Sequence, residues 1–260
     1  MVRQKFRMLK TILSDSELTR FEIMMRICKR ILPQYRFKWP QMAWWQNRQF
    51  NDYLKQFHEI DGMNTDRRWM LHQLIRLVKS IPGDTAECGV YKGASSYLIC
   101  RFIRENKEYS RTHFMFDSFE GISTPTRFDG SYWAKGDLSC GVDSLEENLG
   151  EFENISIHKG WIPERFADIE DKRFAFIHID VDLYEPTRDS IDFFYPRMNQ
   201  GGIILCDDYG FTSCPGATRA IDEFLADKPE KMISLSCGGG FLIKGIQTAQ
   251  LFNHAIDTEK

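Results

Sequence analysis

Phe174-Ala175-Phe176-Ile177-His178-Ile179-Asp180-Val181-Asp182 and Gly201-Gly202-Ile203-Ile204-Leu205-Cys206-Asp207-Asp208 decide how this chain of 260 residues is read. Each holds a short apolar run, rich in β-branched or aromatic residues, and each ends in aspartates. Such runs predict strands buried on both faces, over 174–181 and 202–206, with a helix over 184–197 between them. In an open parallel sheet, ligands gather outside the carboxyl ends of the strands. Both acid pairs are therefore expected at one crevice.

Four carboxylates this close repel one another, and some pKa values rise unless a cation neutralises them. Hard oxygen donors select Mg2+, Mn2+ or Ca2+ over zinc, and no nearby Cys/His set competes. On a strand, residues i and i+2 point the same way, so Asp180 and Asp182 are expected to face the crevice together. One can bind metal while the other acts as a base. His178 shares that face but lies deeper, and reads as a core histidine. Acids at strand ends also serve as plain helix caps; two pairs at neighbouring strand ends favour a divalent-metal site.

Upstream, strand candidates at 84–88, 113–117 and 154–158 alternate with helical stretches at 94–106, 143–149 and 162–168. That alternation predicts a parallel sheet with helices on both faces. Downstream, 232–236 and 240–244 flank Gly238-Gly239-Gly240 and read as a hairpin. The first strand ends in Glu87-Cys88-Gly89-Val90-Tyr91-Lys92-Gly93, just before a helix whose N-terminus offers free N–H donors. This is neither the Walker pattern nor G-x-G-x-x-G. Glu87 suits an ammonium or sulfonium better than a phosphate. Asp117 ends the second strand, where an acid typically accepts ribose hydroxyls; capping the Ser118–Gly121 turn is the plainer alternative.

The N-terminal segment differs. Residues 1–40 carry ten Lys/Arg against three acids, a charge of +7 that leaves −10 on the rest and −3 overall. Ser14-Asp15-Ser16-Glu17 forms a capping box, and Leu18, Phe21, Met25, Cys28 and Leu32 follow at helical spacing up to Pro33. This stripe is expected to dock on the main domain or on a second copy, giving a homo-oligomer. Residues 33–62 are aromatic and suit a lid or structural packing. The division expected is 1–62 as a helical extension and 63–260 as the catalytic domain. Seven cysteines without a C-x-x-C pair read as free thiols of a reducing compartment. No apolar run is long enough for an integral membrane span, and no signal peptide opens the chain, so a cytoplasmic location is expected. No nucleic-acid partner is expected.

Glu87–Gly93, Phe116-Asp117-Ser118-Phe119-Glu120-Gly121, Gly160-Trp161, His178–Thr187 and Asp207-Asp208-Tyr209-Gly210 together resemble the macrocin-type sugar O-methyltransferases. The resemblance runs from about Asn64 to Gly245 and leaves residues 1–60 uncovered. It implies a class I methyltransferase (Rossmann-like) fold of α/β class, with a mostly parallel seven-stranded sheet and a C-terminal antiparallel hairpin. It implies S-adenosylmethionine and Mg2+ (or Mn2+) as cofactors, and a sugar-containing small molecule as acceptor. By position, Glu87, Gly89, Tyr91 and Gly93 would cradle the amino-acid end of the cofactor. Asp117 and Ser118 would hold its ribose, and Gly160-Trp161 would border the adenine. Asp180, Asp207 and Asp208 resemble the metal ligands and Asp182 the general base. The loop 122–142 would close over the acceptor.

Asp180-Val181-Asp182 also resembles the motif of haloacid-dehalogenase phosphatases, but those place Thr two residues after the second Asp, where Tyr184 stands here. A metal-dependent glycosyltransferase would use the D-x-D pair yet leave the Glu87 turn unexplained. A non-catalytic binding protein on the same fold is the alternative of a different class.

Overall fold

The structure, a computed structural model, describes residues 17–31, 42–59 and 64–249. The chain divides into two compact units, Met1–Ile60 and Asp61–Lys260. In the first, α1 (Glu17–Ile31) precedes a 3-10 turn at Ala43–Gln46 and α2 (Arg48–Gln56). Asn47 caps α2, its side chain accepting from Phe50 N at 2.9 Å. Phe50, Tyr53 and Leu54 of α2 are buried. Ser14, the expected capping residue, lies outside the described residues, as do Leu32 and Pro33 at the far end of the stripe.

The second unit opens with α3 (Thr65–Leu74). It continues through β1 (Asp84–Cys88), α4 (Ala94–Glu105), β2 (His113–Asp117), α5 (Val142–Leu149), β3 (Ile155–Lys159) and β4 (Phe174–Ile179). It ends with α6 (Tyr184–Phe194), β5 (Met198–Cys206), α7 (Pro215–Leu225), β6 (Ile233–Ser234) and β7 (Gly240–Ile243). The strands form one seven-stranded sheet in the order β3-β2-β1-β4-β5-β7-β6. The first five run parallel, and β7 enters antiparallel between β5 and β6. This is the expected architecture, hairpin included.

Several boundaries differ from the sequence expectation; β5 begins at Met198 and not at Gly202, and β6 is only Ile233–Ser234. The strand expected over 174–181 stops at Ile179, so Asp180 and Asp182 lie in the following turn and not on a strand. The helix expected over 184–197 ends at Phe194, because Pro196 cannot continue it, and closes in a 3-10 turn. Residues 162–168 give a 3-10 segment, Glu164–Ile169, in place of an α-helix.

Alternation along the strands sorts the sheet into two faces. Cys88, Phe116, Ile179 and Cys206 enter an apolar layer built on Phe166, Phe174 and Phe194. Phe116 meets Phe166 edge-on at 5.1 Å and Phe174 meets Phe194 at 5.0 Å. Each such burial contributes about 1.5–3 kcal/mol. Residues of opposite parity (Thr85, Glu87, His113 and His178) form a polar line on the other face. That line carries the site.

Candidate active site

The strand order reverses between β1 and β4, and the crevice at that reversal divides into two halves. The ends of β3, β2 and β1 supply the first. Asp117 Oδ2 accepts Val90 N and Tyr91 N, both at 2.8 Å, and its Oδ1 accepts Phe119 N at 2.7 Å. Asp117 thus ties the turn after β1 to its own turn, as the capping alternative requires, with acceptor capacity to spare. Ser118 Oγ accepts Glu120 N at 3.1 Å, and Gly160 N donates to Asp117 O at 2.9 Å. Gly93 stands at the N-terminus of α4. Tyr91 and Trp161, 40% and 38% exposed, present aromatic surface at the ends of β1 and β3, which flank β2.

Glu87 does not face the crevice. It is fully buried, and its carboxylate accepts from Ser95 Oγ and Ser96 Oγ of α4 and pairs with His178 Nδ1 at 2.9 Å. Glu87 and His178 are register partners of adjacent parallel strands, which is why they meet. His113 Nε2 lies 3.0 Å from Ser96 Oγ and extends the network to Thr85 Oγ1, 2.9 Å from its Nδ1. Burial opposes the charge on Glu87, but His113 and His178 outweigh it and hold the carboxyl well below its ordinary range.

The second half holds the four aspartates. Among the described residues, side chains with donor atoms suited to a cation gather as two groups, His178 with Asp180 and Asp207, and Asp182 with Asp208 and Cys214, the donor atoms of each within 4.8 Å of one another. Asp208 Oδ2 accepts Asp182 N at 2.8 Å, which places Asp208 beside the expected base. Asp182 sits at φ +61°, a backbone strain of the kind that collects at functional sites. Burial, then the Asp207 carboxylate, pushes Asp180 up to about 7, and burial pushes Asp182 up to about 6. Asp208 is raised by burial and by Asp182. Asp207 goes the other way: burial is outweighed by Arg67 and His178. His178 Nε2 lies 3.5 Å from Asp207 Oδ1; against burial, Asp207 and Glu87 push the imidazole up to about 10. The expected core histidine is therefore also the bridge from Glu87 to the acids.

The halves touch at Gly89. A Cβ there, at φ +78°, would lie 1.8 Å from the Asp180 carbonyl oxygen. Gly89→Ala is expected to destabilise the fold by at least about 3 kcal/mol, read as a lowered urea midpoint, because neither backbone can yield. The glycine is explained by the turn that follows β4.

Sequence reasoning missed four groups. Arg67 of α3 pairs with Asp207, and Arg68 lies 3.8 Å from Asp180 and 4.0 Å from Asp207. Asp129, buried in the 122–142 loop, accepts Tyr184 N at 2.6 Å and so caps α6 from a distant segment. Gly216 leaves room for it: a Cβ there would lie 2.0 Å from Asp129 Oδ1. Cys214 Sγ donates to Asp182 Oδ1 at 3.5 Å and accepts from Trp133 Nε1 at 3.3 Å, joining that loop to the acids. Arginines on a helix and an acid in a loop carry no local signal of partners this far away.

Strand order and paired acids beyond β4 and β5 define the class: the fold is that of the class I O-methyltransferases. The structure of the O-methyltransferase NovP matches with a TM-score of 0.58 and 26% identity, over 70% of this chain and 80% of that one. The calicheamicin methyltransferase CalS11 shares the fold, with a TM-score of 0.60 and 20% identity over 89% and 95%. The chain belongs to the macrocin O-methyltransferase (TylF) family, which it matches over residues 59–234. Among curated relatives, the 8-demethyl-8-(2,3-dimethoxy-alpha-L-rhamnosyl)-tetracenomycin-C 4'-O-methyltransferase of Streptomyces olivaceus is 28% identical, over 55% of this chain. The demethyldecarbamoylnovobiocin O-methyltransferase of Streptomyces niveus is also 28% identical, over 62% of it. The chain spans only 59% and 65% of the length of these two relatives.

Proposed function

We propose that the protein transfers a methyl group from S-adenosylmethionine to a hydroxyl of a sugar-bearing small molecule, with a divalent cation, Mg2+ or Mn2+, at the aspartates. The observation that carries this reading is the pair of half-sites in one crevice, meeting where Gly89 lies against Asp180. The acid half fits a hard cation by its charge. Burial and mutual repulsion push Asp180, Asp182 and Asp208 up, a cost that a divalent cation among them would relieve. The other half suits an adenosine: Asp117 ends β2, and the exposed Tyr91 and Trp161 follow the ends of the flanking strands β1 and β3. The tetracenomycin relative is named as a 4'-O-methyltransferase of a rhamnosyl-bearing substrate, and the mycinamicin III 3''-O-methyltransferase of Micromonospora griseorubida, 25% identical over 65% of this chain, is likewise an O-methyltransferase.

In this reading Asp117 and Ser118 hold the ribose, Gly160-Trp161 borders the adenine, and the turn from Gly89 to Gly93 receives the amino-acid end. Glu87 acts from behind that turn, through Ser95, Ser96 and His178, and not by direct contact. Asp180, Asp207 and Asp208 would hold the cation, which when bound supplies Lewis acidity and a template for neighbouring hydroxyls. Asp182 takes the acceptor proton at a carboxylate oxygen, as a general base. The 122–142 loop, fastened through Asp129 and Trp133, walls the acceptor side.

Titration calorimetry with S-adenosylmethionine tests the division of labour. The cofactor is expected to bind with similar affinity in EDTA and in Mg2+, since its half-site contains none of the four aspartates. No heat of binding at millimolar cofactor, with or without metal, would remove the methyltransferase reading.

A further inference from the structure

We propose that Arg67 is the resident counter-cation of the acid cluster, and that a divalent cation loads by displacing its guanidinium from Asp207. The proposal rests on the reading of Asp180, Asp207 and Asp208 as metal ligands, and adds the exchange that gates them. Its origin is a geometric conflict. Arg67 Nη1 donates to Asp207 Oδ2, with the two side chains only 15% and 4% exposed. A guanidinium and a divalent cation compete for that oxygen, and in a site so poorly solvated their repulsion is weakly screened. Arg68, at 3.8 Å and 4.0 Å from Asp180 and Asp207, adds charge from the margin.

The Arg67 pair is built to open. Arginine usually holds a carboxylate through two parallel bonds. Here Nη1 alone serves Asp207, Nη2 serves Asn64 Oδ1, and Nε makes no hydrogen bond among the described residues. Only one bond must break. A perch remains afterwards: the guanidinium carbon lies 5.2 Å from the centre of the Phe211 ring, a cation–π contact. Phe211 belongs to the same turn as Asp207, so perch and ligand stay within reach of one side chain. Arg67 therefore offers two resting places, one on the acid and one beside it. On the acid it spares Asp207 the cost of an unpaired buried charge. Beside it, Asp207 is free to ligate. Metal binding becomes an exchange of cations, weaker than the aspartates alone would give.

The test uses Mn2+ as probe, with the full chain in the absence of cofactor and acceptor, and electron paramagnetic resonance to count free ion. Arg67→Gln is expected to bind Mn2+ about tenfold or more tightly than the unmodified protein. Asp207→Asn is expected to bind it about tenfold or more weakly. Equal or weaker binding by Arg67→Gln overturns the exchange, and the metal reading survives if Asp207→Asn still weakens binding. No Mn2+ binding by either the unmodified protein or Arg67→Gln at millimolar ion removes both. Should Arg67→Gln fail to fold, Arg67→Met, which keeps the stem beside Phe211, carries the same expectation. A readout without substitution completes the test. In nitrogen-15 spectra of arginine side chains, the Arg67 Nε–H signal should move as diamagnetic Mg2+ is added. A signal unmoved at saturating Mg2+ contradicts the displacement.

Discussion

Asp207→Asn is expected to lower methyl transfer by about a hundredfold to a thousandfold while changing S-adenosylmethionine affinity by less than about threefold. Asp207 faces Arg67, Arg68 and His178 and lies beyond β5, away from Asp117 and Trp161. Asparagine keeps the shape and one acceptor oxygen but not the charge that a divalent cation needs. The loss should therefore fall on turnover. Excess Mg2+ should restore part of it, because a weakened site still fills by mass action. Cofactor affinity by calorimetry and turnover by labelled-methyl transfer separate the two effects; equal loss of both would merge the half-sites into one.

Asp182→Asn is the second large effect, a fall in kcat of about a hundredfold to ten-thousandfold with cofactor and metal affinities close to those of the unmodified protein. The substitution is gentle structurally. Asparagine tolerates the positive φ of +61° as readily as aspartate, and the bond from Asp182 N to Asp208 is made by the backbone. Proton acceptance and the carboxylate's charge are removed, while an amide oxygen can still accept from Cys214 Sγ. A kcat within threefold of the unmodified protein would assign the base elsewhere, Asp208 being the nearest carboxylate.

Much of this architecture is legible in the chain. Apolar runs ending in Asp180-Val181-Asp182 and Asp207-Asp208 are patterns of period and position, and both strands appear where those patterns lie. Glu87 was legible as an acid at a strand end, yet not as one turned inward, because its partners Ser95, Ser96 and His178 are fixed by sheet register and by α4 packing. The alternation argument for Asp180 and Asp182 failed for a local reason: the strand ends at Ile179, and the turn distributes the acids between two clusters. Gly89 stands in the implied cofactor cradle, and its missing side chain also makes room for the Asp180 carbonyl, which no sequence pattern shows. Arg67 and Asp129 reach the site from distant segments, and only the assembled fold brings them there.

The most direct measurement is transfer of labelled methyl from S-adenosylmethionine to a panel of nucleotide-linked and glycosylated acceptors, each with Mg2+ and with EDTA. The account predicts that at least one sugar-bearing acceptor gains one methyl on a hydroxyl oxygen in Mg2+, and that EDTA abolishes the gain. Undiminished transfer in EDTA, or transfer confined to acceptors without a sugar, would contradict it.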